Sequence, residues 1–153
     1  METGEILLKV VIAIMVGGLI GNERKKSGKP AGIATHMVVC MGATLLTLIQ
    51  KEIDISTLEL AKQYPSVIQT LKVDTARIPA QIVSGVGFLG GGVILHSKKT
   101  ISGITTAATI WITACLGIGI GFGYYKIVIP FAISLLIALY ILKRHGIFSE
   151  EKE

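Results

Sequence analysis

Charged residues are scarce in this sequence, and their scarcity excludes most soluble folds. Of the 153 residues, 16% are charged and 51% are hydrophobic, and the mean hydropathy is +0.68. A typical soluble domain carries about 25% charged residues. The composition therefore predicts a membrane protein that crosses the bilayer several times.

Cysteine is also rare, and we expect no cleavable secretion signal. Cys40 and Cys115 lie inside apolar runs without paired spacing, which gives a disulfide or a zinc site little support. We interpret both as buried small residues and expect no cofactor. The first apolar run leads into a polar, basic turn rather than a small-residue cleavage site, so we expect the first segment to remain in the protein.

Long apolar runs dominate what remains. Most approach the roughly 20 residues that cross a bilayer as a helix. The sequence therefore predicts an all-α, polytopic helical membrane protein with about five transmembrane helices. The predicted spans cover residues 6–21, 31–50, 78–95, 101–125 and 127–142.

The segments between and within these spans carry further expectations. Lys9 lies inside the first span and is expected to extend its ammonium group outward to water. Residues 51–77 are mixed in charge and are predicted to form a loop, with room for a short surface helix. We assign residues 1–145 to a transmembrane domain and residues 146–153 to a short cytoplasmic tail.

The third span is rich in glycine. It contains five glycines, and each costs about 1 kcal/mol relative to alanine in a helix interior. In a membrane, glycine lets helices approach closely or allows a helix to break, so this span is predicted to do one of the two. The segment Gly85-Val-Gly87-Phe-Leu-Gly90 matches a dinucleotide fingerprint, but no strand precedes it and no acid follows about 20 residues on, so we reject nucleotide binding.

Small residues recur on one face of three spans. Such faces allow close helix packing in lipid, although a glycine pair in the first span could also be merely tolerated. We predict that the faces of the third and fourth spans contact each other and form the core of the fold. The residues are Gly17 and Gly21 in the first span; Ala80, Ser84, Gly87 and Gly91 in the third; and Thr105, Thr109, Thr113, Gly117 and Gly121 in the fourth.

Asp74 and Arg77 are the first group of residues that could carry chemistry. They lie three residues apart, on one helical face, just before the glycine-rich span. In a structural interpretation they pair with each other and cap the start of the helix. In a functional one, Asp74 meets a cation that enters the membrane.

Glu23, Arg24 and His36 form the second group, at the ends of the first two spans. His36 shares a helix face with Cys40 and Thr44. It could take up a proton or bind a partner, or it could bond a neighbouring helix. That helix face has no second histidine or acid at ligand spacing, so a transition-metal site has little support, and the identity of any metal stays open.

Lysine and arginine collect in three connecting regions, after the first, third and fifth spans. Loops with excess basic residues stay in the cytoplasm. Five spans with the amino terminus outside and the carboxyl terminus in the cytoplasm satisfy this rule. The net charge of +5 then follows from topology, and we predict no nucleic-acid partner.

Five motifs in order resemble the MgtC/SapB family of membrane proteins. They extend from the first span to the fourth and are specific as a set. They are Gly18-Leu-Ile-Gly-Asn-Glu-Arg24, Pro30-Ala-Gly-Ile-Ala-Thr-His36, Asp74-Thr-Ala-Arg-Ile78, Ser84-Gly-Val-Gly-Phe-Leu-Gly90 and Gly103-Ile-Thr-Thr-Ala-Ala-Thr-Ile-Trp111.

The resemblance implies a protein of the bacterial inner membrane, linked to growth in low magnesium, to pH stress and to survival inside host cells. It also implies the membrane sector of the ATP synthase as a partner. Two departures limit what it carries over. Ala34 stands where the family commonly has arginine, and the soluble carboxy-terminal domain of many members is not expected here.

Two hypotheses about function follow. In the first, the protein is regulatory. Its helices lie in the lipid bilayer and dock with other membrane proteins or with a second copy of the chain. In the second, it is a small transporter or channel component for magnesium or protons. We predict that it is not an enzyme, because the sequence offers no set of nucleophile, base and oxyanion donors.

Overall fold

Five α-helices make up most of this protein. The computed structural model describes residues 2–64, 74–96 and 101–144, and an all-α fold with about five helices is confirmed within these ranges. Two short strands, β1 (Leu95–His96) and β2 (Ile101–Ser102), pair antiparallel between the third and fourth helices. The helices are α1 (Thr3–Lys26), α2 (Ile33–Gln63), α3 (Arg77–Gly92), α4 (Ile104–Phe122) and α5 (Tyr125–Arg144).

Four of the helices, α1, α2, α4 and α5, are long and apolar enough to cross a membrane. The glycine-rich α3 has only 16 residues. At 1.5 Å per residue it is about 24 Å long, less than the roughly 30 Å of a bilayer's hydrocarbon core. It is continuous from Arg77 to Gly92, so the glycines do not break it.

The loop predicted after the second span is largely helical instead. α2 continues without interruption through Gln63, which makes it 31 residues long. Residues 51–63 contain neither glycine nor proline and are rich in leucine, lysine and glutamate, which favour helix even where the chain is exposed. Residues 65–73, 97–100 and 145–153, with the predicted tail, lie outside the described residues.

Successive helices alternate in direction between the same two ends of the bundle. The start of α3 meets α2 at Gln50, where the backbone N–H of Ile78 donates to Gln50 Oε1 over 3.2 Å. The end of α3 meets the start of α4, where Gly90 lies against Ala107. α3 therefore runs alongside the first half of α2 despite its shorter length.

α4 is the central helix. Two apolar clusters, one containing residues of α1 and α5 and the other residues of α3, meet on it. The first contains Ala13, Ile20, Cys40, Leu116, Ile120, Val128 and Ala132. The second contains Ala31, Ala43, Ile82, Val86, Ile110 and Ala114.

A glycine with positive φ fixes the start of α4. Gly103 has φ +89°, a conformation that other residues rarely adopt. A Cβ atom at this position would also collide with the carbonyl oxygen of Val93. The chain can therefore turn from α3 into α4 at this distance only with glycine.

Candidate functional site

The end of α1 and the start of α2 touch through their backbones. A Cβ atom added to Gly17 would lie 2.6 Å from the carbonyl oxygen of His36, and one added to Gly21 would lie 2.6 Å from Cα of Ile33. Any larger residue would have to push the helices apart. Gly17 and Gly21 therefore hold the α1–α2 turn closed, in the way small residues do at membrane helix pairs.

A second close seam joins α2 to α4. A Cβ atom at Gly117 would lie 2.5 Å from the carbonyl oxygen of Cys40, and one at Gly121 would lie 2.5 Å from Cβ of Thr47. The Thr44 hydroxyl donates to the carbonyl of Gly117 over 3.0 Å. The small-residue face of α4 is therefore covered by α2. Its remaining members are the buried Thr109 and Thr113 and the half-buried Thr105.

The predicted contact between the small-residue faces of the third and fourth spans is wrong. Ser84, Gly87 and Gly91 are exposed, and a Cβ atom at Gly87 or Gly91 would meet nothing within 4 Å. Because α2 already covers the small face of α4, α3 packs on another side of α4, near Ala107. The buried residues of α3 are Ile82, Val86 and Gly90.

The polar residues predicted at the ends of the first two spans come together. Arg24 and His36 are both completely buried. Arg24 Nη1 lies 3.5 Å from Glu23 Oε2, and the Ser27 hydroxyl donates to Glu23 Oε1 over 2.6 Å. His36 lies beside the same helix, with its carbonyl oxygen against Gly17. We call Glu23, Arg24, Ser27, His36 and Thr109 together the basic-end cluster.

His36 joins α2 to α4 within this cluster. Its Nδ1 lies 2.9 Å from the carbonyl of Gly32, which can only accept, so Nδ1 carries a hydrogen. Its Nε2 lies 3.4 Å from the hydroxyl of Thr109, which is itself 2.8 Å from the carbonyl of Thr106.

A hydroxyl has one hydrogen to donate, so the Thr109 hydroxyl faces two acceptors when His36 is neutral. When His36 is charged, Nε2 donates to Thr109, and Thr109 can then donate to Thr106. With neutral His36, either Nε2 or the Thr106 carbonyl therefore receives no hydrogen from Thr109. A protonated ring satisfies the whole chain of hydrogen bonds, so the link from α2 to α4 through His36 depends on its protonation state.

At the opposite end of the bundle, Lys9 does not extend outward as predicted. It is 2% exposed, and its ammonium donates to the carbonyl of Gly121 over 2.9 Å. Glu5 lies 2.8 Å from Lys9 and 3.3 Å from Lys51. The ammonium points inward because the last carbonyls of α4 need donors and favour a cation.

Asp74 and Arg77 do not form the predicted ion pair. Both side chains are exposed, and across the part of the chain that the structure describes no ion pair joins them. Asp74 Oδ1 instead accepts from the backbone N–H of Ala76 over 3.2 Å. Close to a helix start, free N–H groups compete successfully for a short carboxylate.

Gln50 is a buried residue whose role the sequence did not indicate. Its Oε1 accepts from the Ile78 N–H, and its Nε2 donates to Asp54 Oδ1 over 2.7 Å and to the Asp74 carbonyl over 3.4 Å. It therefore caps the start of α3 from α2. The signal for Gln50 in the sequence is a single amide at the end of an apolar run. For the buried Lys9, the corresponding signal is Glu5, four residues earlier on the same helix face.

The chemistry available to this arrangement is proton and hydrogen-bond chemistry within helix seams. Within residues 2–64, 74–96 and 101–144, no three histidine, cysteine, aspartate or glutamate side chains converge as a set of metal ligands.

Comparison with known proteins identifies the family of the chain. Residues 10–146 match the family model described as the MgtC family, which covers all five helices apart from the first turns of α1. The chain belongs to the MgtC family. No solved structure matches it.

Curated relatives of this MgtC-family chain come from several bacteria. "Protein SapB" of Bacillus subtilis (strain 168) is 40% identical over 139 residues, 90% of this chain and 56% of the relative. "Putative magnesium transporter YhiD" of Escherichia coli (strain K12) is 38% identical over 137 residues, 90% of this chain and 60% of the relative. "Protein MgtC" of Salmonella typhimurium (strain LT2) is 34% identical over 137 residues, 90% of this chain and 52% of the relative.

The chain thus spans little more than half the length of the curated relatives it matches. The four long apolar helices and the family match together identify the chain as a membrane protein. Ala34 is exposed in the first turn of α2.

Proposed function

We propose that this protein is a regulatory protein of the bacterial inner membrane, linked to growth in low magnesium or under pH stress, that acts by docking with other membrane proteins. The observation that carries this proposal is the open face of α3. A Cβ atom added to Gly17, Gly21, Gly117 or Gly121 would lie 2.5 to 2.6 Å from an atom of the neighbouring helix, whereas one added to Gly87 or Gly91 would meet nothing within 4 Å.

The proposal rests on what small residues do in lipid. Hydrophobicity does not drive helices together there, so close backbone contact and hydrogen bonds must do so. A glycine face left open on a short helix gives a partner helix the same close approach that α2 gives α4. The membrane sector of the ATP synthase and a second copy of this chain are both candidate partners, the first on family resemblance alone.

A transporter is the alternative, and two observations favour it. The YhiD relative is named a putative magnesium transporter. Within the described residues, the Thr106 hydroxyl is completely buried without a hydrogen-bond partner, beside the His36 and Thr109 pair. Buried polar groups inside a membrane bundle often mark ion paths.

Copurification and ion flux separate these functions. We expect tagged wild-type protein to bring down a defined membrane partner, and Gly87→Leu to lose it because leucine blocks close approach. Gly85→Leu is the matched control, since Gly85 is equally open but lies on a different side of α3. Growth under magnesium limitation, scored beside protein abundance in the membrane, should follow the same pattern.

Two results would reject the regulatory proposal. One is that wild type and Gly87→Leu bring down the same proteins in equal amount. The other is that purified wild-type protein in liposomes passes magnesium or protons, and that no membrane partner is recovered from native membranes.

We also propose that the amino terminus lies outside and the carboxyl terminus in the cytoplasm. Lys143 Nζ donates to the Lys26 carbonyl over 3.0 Å, so the basic ends of α1 and α5 lie together. Cytoplasmic regions carry the excess of lysine and arginine. Glu5 and the extension of α2 then lie outside.

Cysteine labelling tests this orientation. In a background with Cys40→Ala and Cys115→Ala, we expect Glu59→Cys to react with a membrane-impermeant maleimide on intact cells. Lys26→Cys should react only after the cells are opened. Both positions are exposed, so accessibility within the protein does not decide the result. The reverse labelling pattern would overturn the orientation.

A further inference from the structure

A groove opens at the basic end of the bundle, between the end of α1 and the first turns of α2. Its volume is about 570 Å³, with Lys25 on one side and Ile33, Met37, Val38 and Met41 of α2 along its wall. Lys25 and Val38 are exposed, and none of the five described helices covers them. The groove therefore has a cation at its rim and an apolar wall.

The groove continues along the outside of the protein. A second groove of about 320 Å³, lined by Ile6 and Val10 of α1 and by Leu45 and Leu48 of α2, shares Val38 and Met41 with the first. From Ala34 to Leu48 the wall rises by about 21 Å, at 1.5 Å per residue. This exceeds the roughly 15 Å from the edge of the hydrocarbon core to its middle. We call the two grooves together the α1–α2 trough.

Within residues 2–64 and 101–144, the exposed charges at the rim of the trough are positive. Lys25, Lys26, Lys143 and Arg144 are all exposed at this end. The nearby acid, Glu23, is occupied by the Ser27 hydroxyl at 2.6 Å. The first turn of α2 contains no acidic residue. Among the residues that the structure describes, an anion at the rim would thus meet lysines and no free carboxylate.

We propose that the α1–α2 trough binds an anionic phospholipid, with its headgroup phosphate at Lys25 and one acyl chain along Val38 and Met41. Basic residues just outside the hydrocarbon core attract anionic headgroups. Small residues are present in the wall, but the longer side chains of Met37, Met41 and Leu45 stand between them and hold a partner backbone at a distance. Flexible side chains of this kind adapt to an acyl chain.

Native mass spectrometry of the intact protein in detergent tests this assignment. The probes are phosphatidylglycerol, phosphatidylcholine with the same acyl chains, and inorganic phosphate. We expect phosphatidylglycerol to bind more tightly than phosphatidylcholine, and Lys25→Gln to weaken phosphatidylglycerol binding about fivefold. Lys126→Gln, an exposed lysine at the other end, is the matched control and should change nothing.

The acyl chain is tested separately. Val38→Trp should fill the trough and weaken both lipids, whereas Ile133→Trp, on the exposed face of α5, should weaken neither. All four positions are exposed, and the melting temperature in detergent checks that each variant is folded. Equal binding of the two lipids, or equal effects of the two lysine variants, would overturn the proposal. So would displacement of phosphatidylglycerol by an equal concentration of inorganic phosphate.

Discussion

Replacing Gly117 by leucine is expected to prevent stable assembly of the helix bundle. The Cβ atom alone would lie 2.5 Å from the Cys40 carbonyl oxygen and 2.9 Å from Cβ of Ala43. Neither atom is the end of a flexible side chain, so α2 and α4 would have to separate. Separation also breaks the 3.0 Å hydrogen bond from Thr44 to the Gly117 carbonyl.

Two opposing free-energy terms decide whether Gly117→Leu stabilises or destabilises the protein. Leucine in place of glycine gains about 1 kcal/mol of helix propensity. Overpacking costs about 1 to 3 kcal/mol where side chains can adjust, and more where backbone must move. We therefore expect the melting temperature in detergent to fall by about 5 °C or more, or folded protein to be lost.

Gly87→Leu is the matched control for this prediction. The same substitution there meets nothing within 4 Å, so its helix propensity is gained without a clash. Its melting temperature should stay level or rise. If Gly117→Leu proved as stable as Gly87→Leu, the close α2–α4 seam would be wrong.

Lys9→Met is expected to destabilise the protein, although it removes a charge from an apolar span. An unsatisfied lysine in a membrane is costly, so a lysine that was merely tolerated would make this substitution stabilising. In the structure, however, the Lys9 ammonium donates to the Gly121 carbonyl at 2.9 Å and lies 2.8 Å from Glu5. Methionine fills a similar volume and donates nothing.

The expected loss is about 2 kcal/mol, the range for a hydrogen bond to a charged donor. Lys51→Met is the control, because Lys51 also lies near Glu5, at 3.3 Å, but is one-third exposed. Surface pairs contribute about 0 to 1 kcal/mol, so that variant should melt close to wild type. An equal melting temperature for Lys9→Met and Lys51→Met, or a stabilised Lys9→Met, would contradict the inward placement of Lys9.

Much of the fold followed from composition and periodicity. The apolar runs placed the starts of α1 and α2, and both ends of α4 and α5, to within about three residues. Each run had to satisfy its backbone inside a bilayer. The extension of α2 to Gln63 was missed because exposed polar sequence carries no apolar period. The short length of α3 was missed because its run continues apolar past Gly92 into β1.

In the candidate site too, some residues could be found from the sequence and others only from the structure. Glu23, Arg24 and His36 were found from sequence because polar groups beside apolar spans stand out. Their grouping with Thr109 depended on α4 returning beside α2. Lys9, Gln50 and Asp74 were placed wrongly or overlooked because their partners are backbone groups, which every residue carries and no residue pattern marks.

By itself, the sequence determined that this chain is a helical membrane protein, where most of its helices lie and which residues are small enough for close contact. Only the tertiary structure decided which small faces are used inside the chain. The reason is competition for one surface. α2 covers the small face of α4, so Gly117 and Gly121 are buried there, while Gly87 and Gly91 of α3 stay open.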